Sequence, residues 1–164
     1  MKKTVNGKEN ITCVIKKADG TTEIVKGKNI VTNNGDIAYA QKVVGEATDF
    51  DNPYLRLGTG TTAVDKTDTD VTTFITGSDK AVDTGFPQRN NTDPGNTDGG
   101  VNIVTWKISY ALGDLNVTGI AEGAITNVGT NPSYALNHFL FASSFDVTSS
   151  DQLTVYINHK LEGI

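Results

Sequence analysis

Tyr54-Leu-Arg-Leu-Gly-Thr-Gly-Thr-Thr-Ala-Val-Asp-Lys-Thr-Asp-Thr-Asp70 is the stretch on which the fold class turns. A strand-like start runs into glycine and threonine, and Gly58-x-Gly60-x-x-Ala63 matches the letter of a dinucleotide fingerprint. That fingerprint uses glycines so that backbone can approach a pyrophosphate at a helix N-terminus. The helix is missing. Residues 64–70 hold one apolar side chain, three aspartates and two threonines, so no apolar stripe recurs at helical spacing. The carboxylates would also repel a phosphate. The stretch reads as a strand and a structural loop of a β protein.

The flanking segments agree. Val101 to Leu112 places Val104, Trp106, Ile108, Tyr110 and Leu112 in one alternation phase. Leu153, Val155, Ile157, His159 and Leu161 do the same, as expected of half-buried antiparallel strands. Tyr134 to Ala142 differs, because Leu136, Leu140 and Ala142 share one face while Phe139 and Phe141 fill the other. Such a strand is either covered twice or closed on one side by another subunit. Asn10–Lys17 and Thr21–Lys26 flank Asp19-Gly20, a hairpin signal in which both central residues take positive φ. Asn33-Asn-Gly-Asp36 offers a helix cap, and Ile37, Ala40, Val43 and Val44 recur on one face of a helix ending near Gly45.

At 164 residues and 17.4 kDa the chain has the length of one domain with one core. The expected organisation is a basic hairpin arm at 1–29, a β-sandwich core at 30–164, and a mobile polar loop at 88–100 with nothing to bury. A net charge of -5 argues against a nucleic-acid surface, since phosphate binding is driven by Lys and Arg. No apolar run approaches a membrane span, and the basic N-terminus lacks the apolar segment of a secretory signal. Lys2, Lys3, Lys8, Lys16, Lys17, Lys26 and Lys28 concentrate positive charge at the start of an otherwise acidic chain. They form either a docking face for an acidic partner or a solvated polar hairpin.

Catalytic and metal signatures are sparse. Cys13 is alone, among Ile11, Val14 and Ile15, where a thiol behaves as a small hydrophobe. His138 and His159 lie in phase with apolar neighbours, as satisfied core or interface residues, and their spacing would let them meet across strands. No Gly-x-Ser-x-Gly element occurs. Asp65, Asp68 and Asp70, with Asp79, gather as in a calcium loop but lack the glycine and glutamate of an EF-hand; they make either an irregular calcium site or turn caps. Glu122, alone in an apolar region, is expected to bond backbone amides or an arginine such as Arg56. No catalytic, cofactor or metal residue is assigned, and no enzyme is expected.

Several short pieces, in order, resemble a module of structural proteins of tailed bacteriophages. They are Val31-Thr-Asn-Asn-Gly-Asp36, Leu57-Gly-Thr-Gly-Thr-Thr-Ala63, Asp68-Thr69, Ile120-Ala-Glu-Gly-Ala-Ile125, Leu140-Phe-Ala142 and Asp151-Gln-Leu-Thr-Val155. One departure is Gly123-Ala124-Ile125, where that module usually has Ala-Gly-Leu. The resemblance implies a mainly β fold, an antiparallel sandwich of jelly-roll or immunoglobulin-like type with an N-terminal hairpin and one helix. It also implies a homo-oligomeric virion protein, assembled in a bacterial cytoplasm and using no cofactor. Its partners would be other virion proteins: the major capsid protein for a decoration protein, or neck, collar, tail or fibre proteins. The candidate contact residues are Lys16, Lys17, Lys26, Lys28 and Arg89, with Phe139 and Phe141 as a subunit interface. A glycan-binding module at a tail tip is the rival, with Trp106 and Tyr110 as a platform, although their phase places them in the core.

Overall fold

The structure is a computed structural model that describes residues 10–161. It is mainly β and antiparallel, with one helix. The elements are β1 (Ile11–Lys16), β2 (Thr22–Val31), α1 (Asn33–Val43), β3 (Tyr54–Gly58), β4 (Lys80–Ala81), β5 (Gln88–Arg89), β6 (Ile103–Tyr110), β7 (Val117–Thr126), β8 (Ala135–Val147) and β9 (Gln152–Lys160). Among the described residues all nine strands belong to one sheet, in the order β4-β3-β7-β8-β2-β1-β9-β6-β5. No helix in this span is long and apolar enough to cross a membrane.

The sheet curls around a single core because each strand alternates and the inward residues share one cluster. Ile11, Cys13 and Ile15 from β1 meet Leu153, Val155 and Ile157 from β9, then Trp106, Ile108 and Tyr110 from β6. Leu55 and Leu57 from β3 and Ile120 and Ile125 from β7 close the other side. Register shifts between β7 and β8 add to the curl. The two ends of the sheet are stitched by the residues on either side of β4. The Asp83 amide donates to Lys107 O of β6 (2.9 Å), Ser109 donates back to the Asp83 carboxylate, and Tyr110 Oη donates to Ser78 O (2.7 Å). Neither end is left as a long open edge, which would be a template for aggregation.

Four expectations are corrected. The hairpin β1–β2 is not an arm: it lies mid-sheet between β8 and β9, and Lys2, Lys3 and Lys8 fall outside the described residues. Its turn puts only Gly20 at positive φ, because five residues rather than two connect the strands, with Lys17 N donating to Thr21 O and Gly20 N to Lys17 O. Phe139 and Phe141, expected at a subunit interface, are buried within the chain itself. They stack edge to face inside the curl, 5.2 Å between ring centroids, so the chain itself closes that face. The 88–100 loop does bury side chains: Asn96 Nδ2 donates to Asn91 and Asn158 side-chain oxygens, both at 3.1 Å, beside Thr105, and Lys26 Nζ pairs with Asp98 at 2.7 Å.

Helix α1 departs most from its sequence pattern. Thr32 is the N-cap, with Oγ1 accepting from the Gly35 amide (3.0 Å), and Gly45 follows the C-terminus at positive φ. The face turned to the sheet carries Gly35 and Ala38, whereas Ile37, Val43 and Val44 point to solvent. The reason is proximity. A Cβ at position 35 would collide with Leu136 O, so the helix can approach β8 this closely only through its small residues.

Candidate functional site

The loop after β3 folds back over the outer face of β3, β7 and β8, and one carboxylate holds it there. Glu122 of β7 is fully buried. Its Oε1 accepts from the amides of Gly60 (2.9 Å) and Thr73 (2.8 Å), and Oε2 accepts from the Thr72 amide (3.0 Å) and from His138 Nε2 (2.8 Å). A Cβ at Gly58 or at Gly60 would fall within 3 Å of Glu122 Oε1. The glycines of the Gly-x-Gly element thus serve the physical purpose they serve in a nucleotide loop, bringing backbone up to an anion. Here the anion is the chain's own glutamate. This matches the expectation of backbone amides around Glu122; Arg56 is not its partner.

His138 of β8 is placed beside Glu122 by register, since Glu122 pairs with Leu140 and Ala124 with His138. Its Nδ1 faces Asp68 Oδ2 at 2.6 Å. A carboxylate at each nitrogen favours the doubly protonated ring, in which both positions donate. Burial opposes that charge, but the hydrogen bonds and charges of Glu122 and Asp68 outweigh it and raise the pKa above the usual 6.5. For Glu122 burial also works against the charge, yet the bonds from His138, Thr72 and Thr73 hold its pKa down at about 2, from 4.5. Next to this pair Arg56 Nε donates to Asp70 Oδ1 (2.8 Å), Nη1 donates to Gly129 O, and the guanidinium lies 3.5 Å from the centre of the Phe74 ring.

The clamp extends to α1. The Asn33 amide donates to Lys66 O (2.8 Å), Lys66 pairs with Asp36 (2.5 Å), and Thr32 Oγ1 donates to Ala135 O. A second anchor holds the middle of the helix. Trp106 Nε1 donates to Tyr39 Oη (3.1 Å), which donates to His159 Nδ1 (2.5 Å). Burial keeps His159 neutral, with a pKa of about 3. The two histidines do not meet: His138 sits on the outer face and His159 in the interior, because their strands are separated by β2 and β1.

Chemically the arrangement is closed. Both nitrogens of His138 are engaged by carboxylates, Glu122 at Nε2 and Asp68 at Nδ1. Among the described residues no group of three or more His, Cys, Asp or Glu is placed to hold a metal ion. The aspartates of the 65–70 tract face different partners: Asp65 accepts from the Thr67 amide and hydroxyl, Asp68 faces His138, and Asp70 faces Arg56.

Of the candidate contact residues, two lysines are spent within the chain. Lys17 reaches Glu23, Asp151 and Asp146 O, and Lys26 reaches Thr12, Thr97 and Asp98. Lys16 and Lys28 are exposed, as is Arg89, whose Nη1 donates to Val101 O (3.2 Å). Sequence reasoning treated Glu122 and His138 separately and missed Asp68 as their third member. The available signal was three buriable charges beside glycine-rich backbone. No family model, curated protein or solved structure matches the chain.

Proposed function

We propose that the chain is a non-enzymatic structural protein of a tailed-bacteriophage virion, in the first place a capsid decoration protein. One observation carries this reading. The Asn-x-Gly helix start, the Gly-Thr-Gly-Thr-Thr loop, the Asp-Thr pair and the Ala-Glu strand, scattered in sequence, converge on the Glu122–His138–Asp68 clamp and on the seat of α1. Pieces that resemble a phage module thus share one architectural task. A clamp with every hydrogen-bonding valence filled favours a scaffold over a catalyst. On this reading the curled sheet is a jelly-roll or immunoglobulin-like sandwich in its general design, with two halves facing across one core.

Function then rests on interfaces. Many copies on a symmetric lattice each bury a modest area, and avidity makes attachment effectively permanent. Binding the assembled shell and not its free subunits stabilises the shell by linkage. Of the candidate contact cations, Lys16, Lys28 and Arg89 are exposed toward an acidic neighbour. A neck, collar, tail or fibre position uses the same physics. The glycan-binding alternative loses its platform, since Trp106 and Tyr110 are buried in the core.

The test is copy number per purified virion, by quantitative mass spectrometry against the major capsid protein. Copies on the order of hundreds mean a capsid-lattice position, and about a dozen a neck or tail ring. Absence from the particle overturns the proposal.

A further inference from the structure

The outer face of β1, β9 and β6 is half roofed. The 91–98 segment covers the row that holds Thr12 and Tyr156, both buried. It comes down at Gly95, where an added Cβ would sit 3.2 Å from the side chains of both Val14 and Tyr156. Beside that wall the sheet opens into a trough of about 240 Å³, with half-buried Val14 on its floor. Register sets the lining: Lys16 lies opposite Gln152, and Val14 opposite Thr154, which in turn lies opposite Ser109. Two lysines, Lys16 and Lys80, and one aspartate, Asp114, complete it. The trough therefore carries net positive charge in a chain whose net charge is -5.

The surrounding polar groups are spent within the chain. Asp114 holds Lys80 at 2.7 Å, Lys17 answers Glu23 and Asp151, and Asp83 accepts from the Ser109 amide and hydroxyl. The side chains of Lys16, Gln152 and Thr154 have no partner among the described residues. We propose that the trough binds a small polyhydroxylated carboxylate, the chemistry of a uronic or other acidic sugar unit. The Lys16 ammonium selects the carboxylate. The neutral groups select the hydroxyls. Gln152 and Thr154 carry acceptor lone pairs as well as donors, and Ser109, which gives its proton to Asp83, has only acceptors left. A bare carboxylate or phosphate offers those acceptors nothing, whereas sugar hydroxyls donate to them. Volume agrees, since 240 Å³ is the space of about eight waters at ~30 Å³ each, more than an inorganic anion fills and close to one sugar ring. With one ion pair and a few solvent-exposed hydrogen bonds holding about thirteen non-hydrogen atoms, the dissociation constant is on the order of 1 mM. The proposal is independent of the virion reading, and of the three exposed contact cations only Lys16 lines the trough.

Titration of the full chain with sodium galacturonate at constant ionic strength, followed by proton–nitrogen correlation spectra, tests it. The expected result is saturable shifts at Lys16, Gln152 and Thr154 with a dissociation constant of about 1 mM, at least about tenfold tighter than for galactose, acetate or inorganic phosphate. Lys16→Ala and Thr154→Val should each weaken binding at least about fivefold. Lys28→Ala, at an exposed lysine outside the trough, should not. The dispersion of each variant's own spectrum reports that it is folded, and Gln152→Ala, at an exposed position, takes the place of Thr154→Val if that variant is not. Digalacturonate bound more tightly than the monomer assigns the trough to a polysaccharide, and equal affinity assigns it to a free sugar acid; either supports the proposal. Absence of saturable shifts at ~20 mM overturns it, as does phosphate binding as tight as galacturonate or binding unchanged by Lys16→Ala. A glutamate-rich peptide bound more tightly than either sugar also overturns it, giving the trough to a protein partner.

Discussion

Replacing Glu122 by Gln removes one charge from the clamp while preserving its shape. The wild-type carboxylate accepts from three amides and an imidazolium without any donor of its own. Glutamine keeps one acceptor oxygen and turns the other position into a donor. That NH₂ must then face either the Gly60 and Thr73 amides or the Thr72 amide and His138, donor against donor. The magnitude follows from linkage. A carboxyl whose pKa falls from 4.5 unfolded to about 2 folded contributes roughly 3 kcal/mol when ionised. This agrees with the roughly 3–5 kcal/mol lost on breaking a buried ion pair. At pH 5.5 Glu122→Gln should therefore lower stability by about 3 kcal/mol, or about 6–12 °C in Tm for a domain of this size.

The pH dependence discriminates further. Because the folded pKa lies below the unfolded one, the contribution is fully present above pH 4.5 and is lost as pH falls toward 2. Protonated Glu122 resembles the glutamine, so the gap between wild type and variant should narrow as pH drops from 5.5 to 3. His138 acts in the opposite sense. Its raised pKa gives stability complete below 6.5 and lost as pH rises through the folded value, so the clamp is strongest between about pH 4.5 and 6.5. Urea denaturation at pH 3.0, 4.0, 5.5 and 8.0 reads all of this. A gap under 1 kcal/mol at pH 5.5, or one that stays constant down to pH 3, would refute the clamp.

Gly60→Ala pushes a Cβ against the Glu122 carboxylate and should cost about 1–3 kcal/mol in urea unfolding, whereas an unchanged midpoint would mean that the loop does not pack as described. Tyr39→Phe strips a partner from both Trp106 Nε1 and His159 Nδ1, and about 1–3 kcal/mol should be lost with a shift in Trp106 emission. The His159 ring should show no chemical-shift titration between pH 7 and 4.5, since burial sets its pKa at about 3; a midpoint near 6.5 contradicts its placement. Lys26→Ala removes a partly exposed pair with Asp98, so stability should change by less than about 1 kcal/mol. Limited proteolysis within residues 90–98 should nevertheless accelerate, and unchanged cleavage would show that Lys26 does not fasten the loop.

Strand alternation was readable because it is a local property. The phase of Trp106, Ile108 and Tyr110, or of Leu153, Val155 and Ile157, already states which face is wet. The two-sided apolar pattern around Phe139 was equally visible, but not what covers it. Sequence periodicity reports that a face is dry and not whose atoms dry it. The hairpin lysines suggested an arm because charge is usually peripheral, and nothing local says that Thr12, Asp98 and Asp151 will meet them from distant segments. For α1 the period is legible in the sequence and the direction its apolar face takes is not, since that lies with the backbone of β8 at Leu136.

By itself the amino-acid sequence determined a mainly β chain with one capped helix, a glycine loop made for close backbone approach, and a buried glutamate seeking amides. Each of these is dictated by side-chain volume, hydrogen-bonding capacity and spacing along a few residues. Only the tertiary structure decided that the glutamate and the glycine loop belong to each other, that His138 joins them to Asp68, and that the helix turns its valines outward. Those outcomes depend on strand order and register, which bring together residues 62 and 70 positions apart. They are collective properties of the curled sheet, which no local window of sequence contains.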